Sequence, residues 1–247
     1  GVDRVICLGD ITLKGPLPKE CVDRVRDLGC PVVLGNSDAA YHPDKHPSLY
    51  PTRNESQLAL NQDFDRHVAA LTEADRAWLT GFPLTHSEEV EGRRMDFFHA
   101  VPHHNYVLVM PWASNEELEI MRLADETVLS AFGHNHRPFV RSHKGRVVVN
   151  SGSVGIPFDG DPRPSYALVE VTGGGLSTQI IRVPYDAEAA ITTAQRVGMA
   201  GWELFAHTAR TGQASILEAV SARPDIMILD LGLPDIDGVE IIKKVRA

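Results

Sequence analysis

The fold is decided by the stretch Ala131-Phe132-Gly133-His134-Asn135-His136-Arg137-Pro138. The apolar run over residues 128–132 predicts a buried strand, and the glycine that follows ends it. The two histidines then come two residues apart on the loop beyond this strand. Neutral imidazoles close together at a strand end are ligands that suit a divalent metal. A histidine pair alone is more often a pair of solvated side chains. Further candidate ligands at other strand ends are therefore needed to favour a metal site.

The composition is that of an ordinary globular protein with a sizeable core, since 43% of the 247 residues are hydrophobic and 23% are charged. The formal net charge of −9 argues against duplex nucleic acid as a partner, because its phosphates would be repelled. Three cysteines without a C-x-x-C pair predict a reduced, cytoplasmic protein rather than a disulfide framework. No apolar run approaches the roughly 18 residues of a membrane span, so no membrane partner is expected.

A βαβ unit is predicted near the start of the chain. Short apolar runs at residues 5–8 and 32–34 predict two strands, and residues 18–28 between them have apolar side chains at helical spacing. A strand, a helix and a second strand within about 30 residues predict parallel pairing. The carboxyl ends of such strands lie at one edge of the sheet, where open α/β folds bind ligands.

The rest of the chain predicts an α/β fold, α+β by some counts, with two packed mixed sheets flanked by helices. Helical patterns cover residues 57–70, 73–80 and 186–211, and a capping box of Ser114 and Glu117 begins a helix running to residue 123. Strands are predicted at residues 94–98, 128–132, 139–143, 146–150, 166–171 and 178–183. The change from a βαβ unit to hairpins is what indicates two sheets.

The strand-end pattern recurs four times, with glycine, asparagine, aspartate or histidine after the strand: Gly9-Asp10, Gly35-Asn36, Phe98-His99 and Gly133-His134-Asn135-His136. Each alone is more often a plain turn, but this order and spacing are specific. Further matching stretches are Gly15-Pro16, Ser37-Asp38, residues 150–155 and residues 161–166. With them, residues 1–211 closely resemble the calcineurin-like metallophosphoesterases, in particular their compact bacterial phosphodiesterase branch.

The resemblance implies a metal-dependent phosphoesterase, most directly a phosphodiesterase, that hydrolyses a small phosphate ester with metal-activated hydroxide. It makes Asp10 the bridging carboxylate of two metals and Asn36, His99 and His134 the other ligands of the second. His136 matches a ligand of the first metal. Asn36 and His99 also receive the catalytic role of stabilising charge in the transition state. Mixed nitrogen and oxygen ligands suit Mn, Fe, Zn or Ni, at one or two ions per chain.

The chain departs from the family pattern at its beginning. The family domain normally opens with a strand that ends in Asp-x-His and supplies two ligands of the first metal. Gly1-Val2-Asp3-Arg4 runs almost directly into the next strand without a starting Met, so we expect an N-terminally truncated domain whose first strand is missing. The first metal then keeps only Asp10 and His136. The alternative is a catalytically weakened remnant or fusion product with a structural or interaction role.

Two further residues are candidate substrate contacts. His103 follows shortly after His99 and is a candidate for the substrate rim, although a solvated loop residue is the alternative. Arg163 lies in the loop of residues 161–165, where it either contacts phosphate or forms a structural ion pair.

Residues 212–247 resemble a fragment of a response-regulator receiver domain, with Asp230 at the phosphoacceptor position. About 35 residues cannot form that domain's core, so phosphoacceptance is not expected. One interpretation is a fused gene fragment that trails as an appendage. The other is that this βα segment fills the vacant edge beside residues 5–8, within one chain or swapped in a homodimer, with Asp230 as a replacement metal ligand. Deleting residues 224–247 tests the second interpretation, which unchanged solubility, stability and metal content would reject.

Overall fold

The computed structural model describes residues 2–42 and 55–214. The predictions made for the receiver-like segment, including a metal-binding role for Asp230, lie outside the described residues. So does the expected swap of this segment in a homodimer.

A five-stranded mixed sheet with the order β1-β2-β3-β5-β4 forms the centre of the fold. Its strands are β1 (Thr85–Val90), β2 (Arg93–Phe98), β3 (Thr127–Phe132), β4 (Phe139–His143) and β5 (Arg146–Asn150). The central strands β2, β3 and β5 are parallel, while β1 and β4 are antiparallel to their neighbours at the two edges. The parallel strands therefore end at one edge of the sheet, which carries the loops after Phe98, Phe132 and Asn150.

A second sheet, the hairpin of β6 (Ser165–Thr172) and β7 (Gly175–Arg182), covers one face of the first. Met95, Leu129 and Val149 of the central strands pack there against apolar residues of the hairpin such as Val169 and Ile180. The predicted pair of packed sheets is confirmed. The second sheet is antiparallel rather than mixed among the described residues, because a turn of two glycines leads β6 directly into β7.

The opposite face of the central sheet is covered by a helical segment. Phe98, Phe132 and Val148 pack there against Leu118 and Met121. The helices of the described chain are α1 (Pro18–Leu28), α2 (Asn36–Ala39), α3 (Glu55–Ala70), α4 (Glu73–Thr80), α5 (Asn115–Glu119), α6 (Ala187–Arg196) and α7 (Trp202–Thr211). None of them is long and apolar enough to cross a membrane.

Local sequence signals explain where several helices begin and end. Pro18 lies at the first turn of α1, and Gly29 ends the helix in the left-handed conformation. Ser114 and Glu117 form the predicted capping box of α5. That helix ends at Glu119 instead of residue 123, because the following amides bond to carbonyls three residues back and tighten the last turn.

Three expectations about secondary structure are corrected. The strands predicted at residues 5–8 and 32–34 shrink to one parallel bridge between Cys7 and Val32, although their direction is as predicted. The helical pattern predicted over residues 186–211 is interrupted and forms two helices, because Gly198 and Gly201 adopt positive φ between them. Strand β1 was not predicted, since its sequence T-H-S-E-E-V is too polar to signal a strand without its partner β2.

Candidate metal centre

The parallel strands β2 and β3 place two histidines side by side. His99 follows the last residue of β2, and His134 comes two residues after the end of β3. The amide of Gly133 donates to the carbonyl of His99 at 2.9 Å, which continues the pairing of the strands beyond their ends. The imidazole rings of His99 and His134 meet edge to face, with centroids 4.9 Å apart.

Two glycine turns bring Asp10 and Asn36 to the same edge of the sheet. A Cβ on Gly9 would lie 2.5 Å from the amide nitrogen of Gly35, and one on Gly35 would overlap the backbone of Asp10. Only glycine permits the two turns to touch, which explains why Asp10 and Asn36 each follow a glycine. The amide of Ser37 then donates to Oδ1 of Asp10 at 2.8 Å and orients its carboxylate.

Asp38 ties these two turns together. Its Oδ2 accepts from the amides of Asp10 at 2.7 Å and Gly35 at 3.1 Å, and its Oδ1 accepts from the amide of Ile11 at 3.0 Å. The side chain is fully buried. Burial and the nearby Asp10 carboxylate raise the pKa of Asp38, while the N–H donors act in the opposite direction. Asp38 therefore positions the ligands instead of joining them.

Acceptor atoms from four residues converge on one point. Nε2 of His99 lies 3.1 Å from Oδ1 of Asn36, 3.1 Å from Nδ1 of His134 and 3.4 Å from Oδ2 of Asp10. One ligand atom from each of Asp10, His99 and His134 can be chosen so that all lie within 4.8 Å of one another. Such a set of imidazole, carboxylate and amide oxygen groups has the composition of a transition-metal site.

Backbone carbonyls determine which nitrogen of each imidazole faces this point. Nδ1 of His99 donates to the carbonyl of Leu8 at 2.7 Å, and Nε2 of His134 donates to the carbonyl of Tyr106 at 3.2 Å. In the neutral imidazoles, Nε2 of His99 and Nδ1 of His134 therefore face each other with lone pairs. Two lone pairs at 3.1 Å require a proton or a cation between them, so the residues fit a divalent metal.

The charges of the site agree with this fit. Burial acts to raise the pKa of Asp10, but the His99 imidazole, the Ser37 amide and the charge of His136 outweigh it and lower that pKa to about 2. Burial acts to lower the pKa of His99, yet the Asp10 carboxylate raises it overall. Burial and the charge of His99 lower the pKa of His134. Asp10 is therefore an anion at neutral pH, as a metal ligand has to be.

His136 stands beside this cluster. Its Nδ1 donates to the carbonyl of Ile156 at 2.8 Å, and its ring stacks on Phe158 with a centroid separation of 4.8 Å. Burial lowers its pKa to about 4 in spite of the opposing charge of Asp10, so the imidazole is neutral with a lone pair on Nε2. This nitrogen can bind a metal, but His136 is not among the three residues whose ligand atoms lie within 4.8 Å of one another.

Asn135 separates the two histidines of the opening stretch. Its buried side chain donates from Nδ2 to the carbonyl of Val109 at 2.5 Å and accepts from the amide of Arg137 at 2.8 Å. His134 and His136 both adopt positive φ, 64° and 59°. Non-glycine residues in this conformation store strain that the surrounding contacts have to hold, and such strain is concentrated at functional sites.

The remaining candidates lie outside the converging set. Arg163 pairs with Asp161 of its own loop, with Nη2 and Oδ2 2.6 Å apart, which matches the structural ion pair of the two alternatives. His103 is exposed, and no described hydrogen bond or ion pair joins it to the four converging residues. Asp230 lies outside the described residues.

Three contributors to the site carry no signal in the sequence. The carbonyls of Leu8 and Tyr106 orient the imidazoles, yet a carbonyl is present at every residue. Asn105 donates from Nδ2 to the carbonyl of Gly35 at 3.1 Å and fixes the loop that carries Tyr106. No motif marks Asn105, because its partner is 70 residues away.

The chain is similar in sequence and in fold to known proteins. The family profile described as "Calcineurin-like phosphoesterase superfamily domain" matches residues 1–174. The uncharacterized protein MJ0912 of Methanocaldococcus jannaschii is 30% identical over 205 residues, which are 77% of this chain and 79% of that protein. The crystal structure of a metallophosphoesterase from Sphaerobacter thermophilus is similar with a TM-score of 0.62 at 23% identity, over 86% of this chain and 90% of that one, and shows a shared fold.

A second similarity covers a short part of the chain. The KDP operon transcriptional regulatory protein KdpE of Escherichia coli is 44% identical over 59 residues, which are 24% of this chain and 26% of that protein. The chain spans only about a quarter of the length of this relative.

Proposed function

The chain belongs to the calcineurin-like phosphoesterase superfamily, and on that premise we propose that it is a metal-dependent phosphodiesterase acting on a small phosphate ester. The observation that carries the proposal is the convergence of Asp10, Asn36, His99 and His134 with their lone pairs directed at one point. A cation at this point would satisfy the carboxylate, the amide oxygen and the lone pairs of both imidazoles together.

The residues of the site would bind up to two cations. Asp10, Asn36, His99 and His134 would hold one cation, and His136 with the shared Asp10 would contribute to another. A divalent cation in such a site supplies Lewis acidity toward a phosphate oxygen and lowers the pKa of water. Since Asp10 is the one carboxylate of the set, the loaded site keeps a net positive charge that attracts an anionic ester.

The surrounding backbone holds the candidate ligands in the orientation that metal binding requires. The carbonyls of Leu8 and Tyr106 hold the protons of the two imidazoles on the sides that face away from the site. Asn36, as a neutral oxygen donor, adds no negative charge that would repel phosphate. Preorganised ligands of this kind cost no rearrangement when charge develops on the phosphate in the transition state.

The proposal predicts metal content and turnover together. We expect elemental analysis of the purified protein to find at least one Mn, Fe, Zn or Ni ion per chain. We also expect hydrolysis of bis(p-nitrophenyl) phosphate with added manganese, faster than that of the monoester p-nitrophenyl phosphate. Removal of the metal with EDTA should abolish the turnover, and manganese should restore it.

The alternative of a weakened remnant predicts a different result. A protein that binds one ion or none, and that hydrolyses neither ester after loading with any of the four metals, would contradict the proposed enzyme. That result would favour a structural or interaction role, since the ligands would then hold the turns together without activating water.

A further inference from the structure

A cavity of about 110 Å³ opens beside the candidate metal centre. Asn36 lines one side of it, so the cavity is continuous with the site. Its other walls come mostly from the loop of residues 11–16 and from helix α3. The apolar part of the wall is formed by Leu13, Ala40, Leu60 and Phe64, and the polar part includes Ser37 and Asp63. A group that enters it from the metal centre therefore exchanges water for hydrocarbon along the apolar part of the wall.

Two charged side chains line the same cavity, and only one of them has its charge satisfied. Asp63 accepts from Nε of Arg66 at 2.8 Å and lies 3.4 Å from Nε2 of His67. Lys14 is exposed, and within the described part of the chain it makes no ion pair or hydrogen bond. Lys14 lines the same cavity as Asn36, so it lies beside one of the candidate metal ligands.

The loop that carries Lys14 is held in a strained conformation. Leu13 and Lys14 adopt φ values of 70° and 58°, which non-glycine residues rarely do twice in succession. Two residues of α3 hold the loop there. Arg66 donates to the carbonyls of Gly15 and Pro16 at 2.9 Å each, and buried His67 bonds to the Leu13 amide at 3.3 Å and the Gly15 carbonyl at 2.9 Å. Strain that several buried contacts maintain points to a functional position.

We propose that this cavity is the subsite for the alcohol group of the substrate, that it selects a compact apolar group such as an aryl ring, and that Lys14 binds the anionic phosphate at its mouth. The inference rests on the proposed function, because it takes the ester to be held by the metal ligands. Cavities of about 150 Å³ accept benzene, so a ring can enter this one in large part. A second phosphate would face the Asp63 carboxylate on the wall, whereas an aryl ring gains contacts with Leu13, Leu60 and Phe64.

Binding of non-hydrolysable phosphonates tests the subsite without requiring turnover. We expect the manganese-loaded protein to bind phenylphosphonate about tenfold more tightly than methylphosphonate in a calorimetric titration, because the ring buries apolar surface. Leu60→Trp fills the cavity and should reduce this ratio to about one. Leu60→Ser, which makes the wall polar, should lower the ratio as well and serves if the larger side chain prevents folding.

The role of Lys14 has a matched control. Lys14→Met should weaken both phosphonates about tenfold while their ratio persists, because the charge acts on the shared phosphonate group. Lys144 is also exposed with positive φ, 48°, but it lies on the turn between β4 and β5 beside Glu119. Lys144→Met should leave both affinities unchanged.

The outcomes separate the inference from the proposed function. Equal affinities of the two phosphonates for the wild-type protein would overturn the subsite, as would a ratio that survives both Leu60 substitutions. Unchanged affinities in Lys14→Met would overturn the role of the ammonium group. Failure of the proposed function has another signature, in which neither ester is hydrolysed although the preference for phenylphosphonate is present.

Discussion

His99→Ala is expected to remove the bound cation and to lower the rate of phosphodiester hydrolysis by more than about 100-fold. His99 contributes the nitrogen that lies within 3.4 Å of Asp10, Asn36 and His134, so its loss removes the centre of the ligand set. Metal content by elemental analysis and kcat/KM for bis(p-nitrophenyl) phosphate measure the two effects. Both should fall together, because the same ligand atom supports both.

His143→Ala provides the control for this substitution. His143 is also buried and lies on β4, where its Nε2 is 2.6 Å from Oε1 of Glu119. Its loss is expected to lower the free energy of unfolding while metal content per folded chain stays the same. Full metal occupancy in His99→Ala, or equal metal loss in the two variants, would contradict the assignment of His99 as a ligand.

Asp38→Ala is expected to lower the free energy of unfolding by about 3 kcal/mol and to weaken metal binding by about 10- to 100-fold. Its carboxylate accepts three backbone N–H groups from the turns that carry Asp10 and Asn36. Alanine leaves these buried donors without an acceptor, and the two turns lose the group that holds them together. Urea unfolding and a competitive metal titration measure the two effects.

Asp96→Ala is the matched control, since Asp96 is another fully buried carboxylate. It accepts from Oγ of Ser87 at 2.6 Å, from Oγ1 of Thr127 at 2.5 Å and from Nε of Arg94 at 3.1 Å, and none of these partners is a ligand candidate. We expect similar destabilisation with little change in the metal affinity of the folded protein. Asp38→Asn keeps one acceptor oxygen and should lie between wild type and Asp38→Ala. Unchanged metal affinity in Asp38→Ala would show that Asp38 serves stability alone.

Much of the fold follows from signals that are local in the chain. The hairpin of β4 and β5 has the boundaries predicted from its alternating pattern and its Lys144-Gly145 turn, and helix α1 runs from Pro18 to Leu28 as predicted. Strand β1 escaped prediction because its stability comes from pairing with β2 rather than from apolar residues of its own. Local sequence patterns thus predict elements whose own residues bury apolar surface. They do not predict a strand that is stabilised mainly by pairing with a neighbouring strand.

Residue type and order along the chain predict which side chains form the candidate metal centre. Asp10, Asn36, His99 and His134 each follow a strand end or a glycine turn, and parallel strands bring such positions to one edge. The prediction of these four ligand candidates therefore requires no knowledge of the tertiary structure. The family resemblance drawn from the same residues is confirmed by the match over residues 1–174.

The orientation of those side chains depends on contacts between parts of the chain that are distant in sequence. The carbonyls of Leu8 and Tyr106 select the nitrogen that each imidazole presents, and these groups lie 91 and 28 residues away from His99 and His134. Likewise, the contact with Ile156 sets His136 beside the converging cluster. The physical reason is the same in each case: hydrogen bonds and burial act between atoms that are close in space, and the spacing of residues along the chain does not encode that distance.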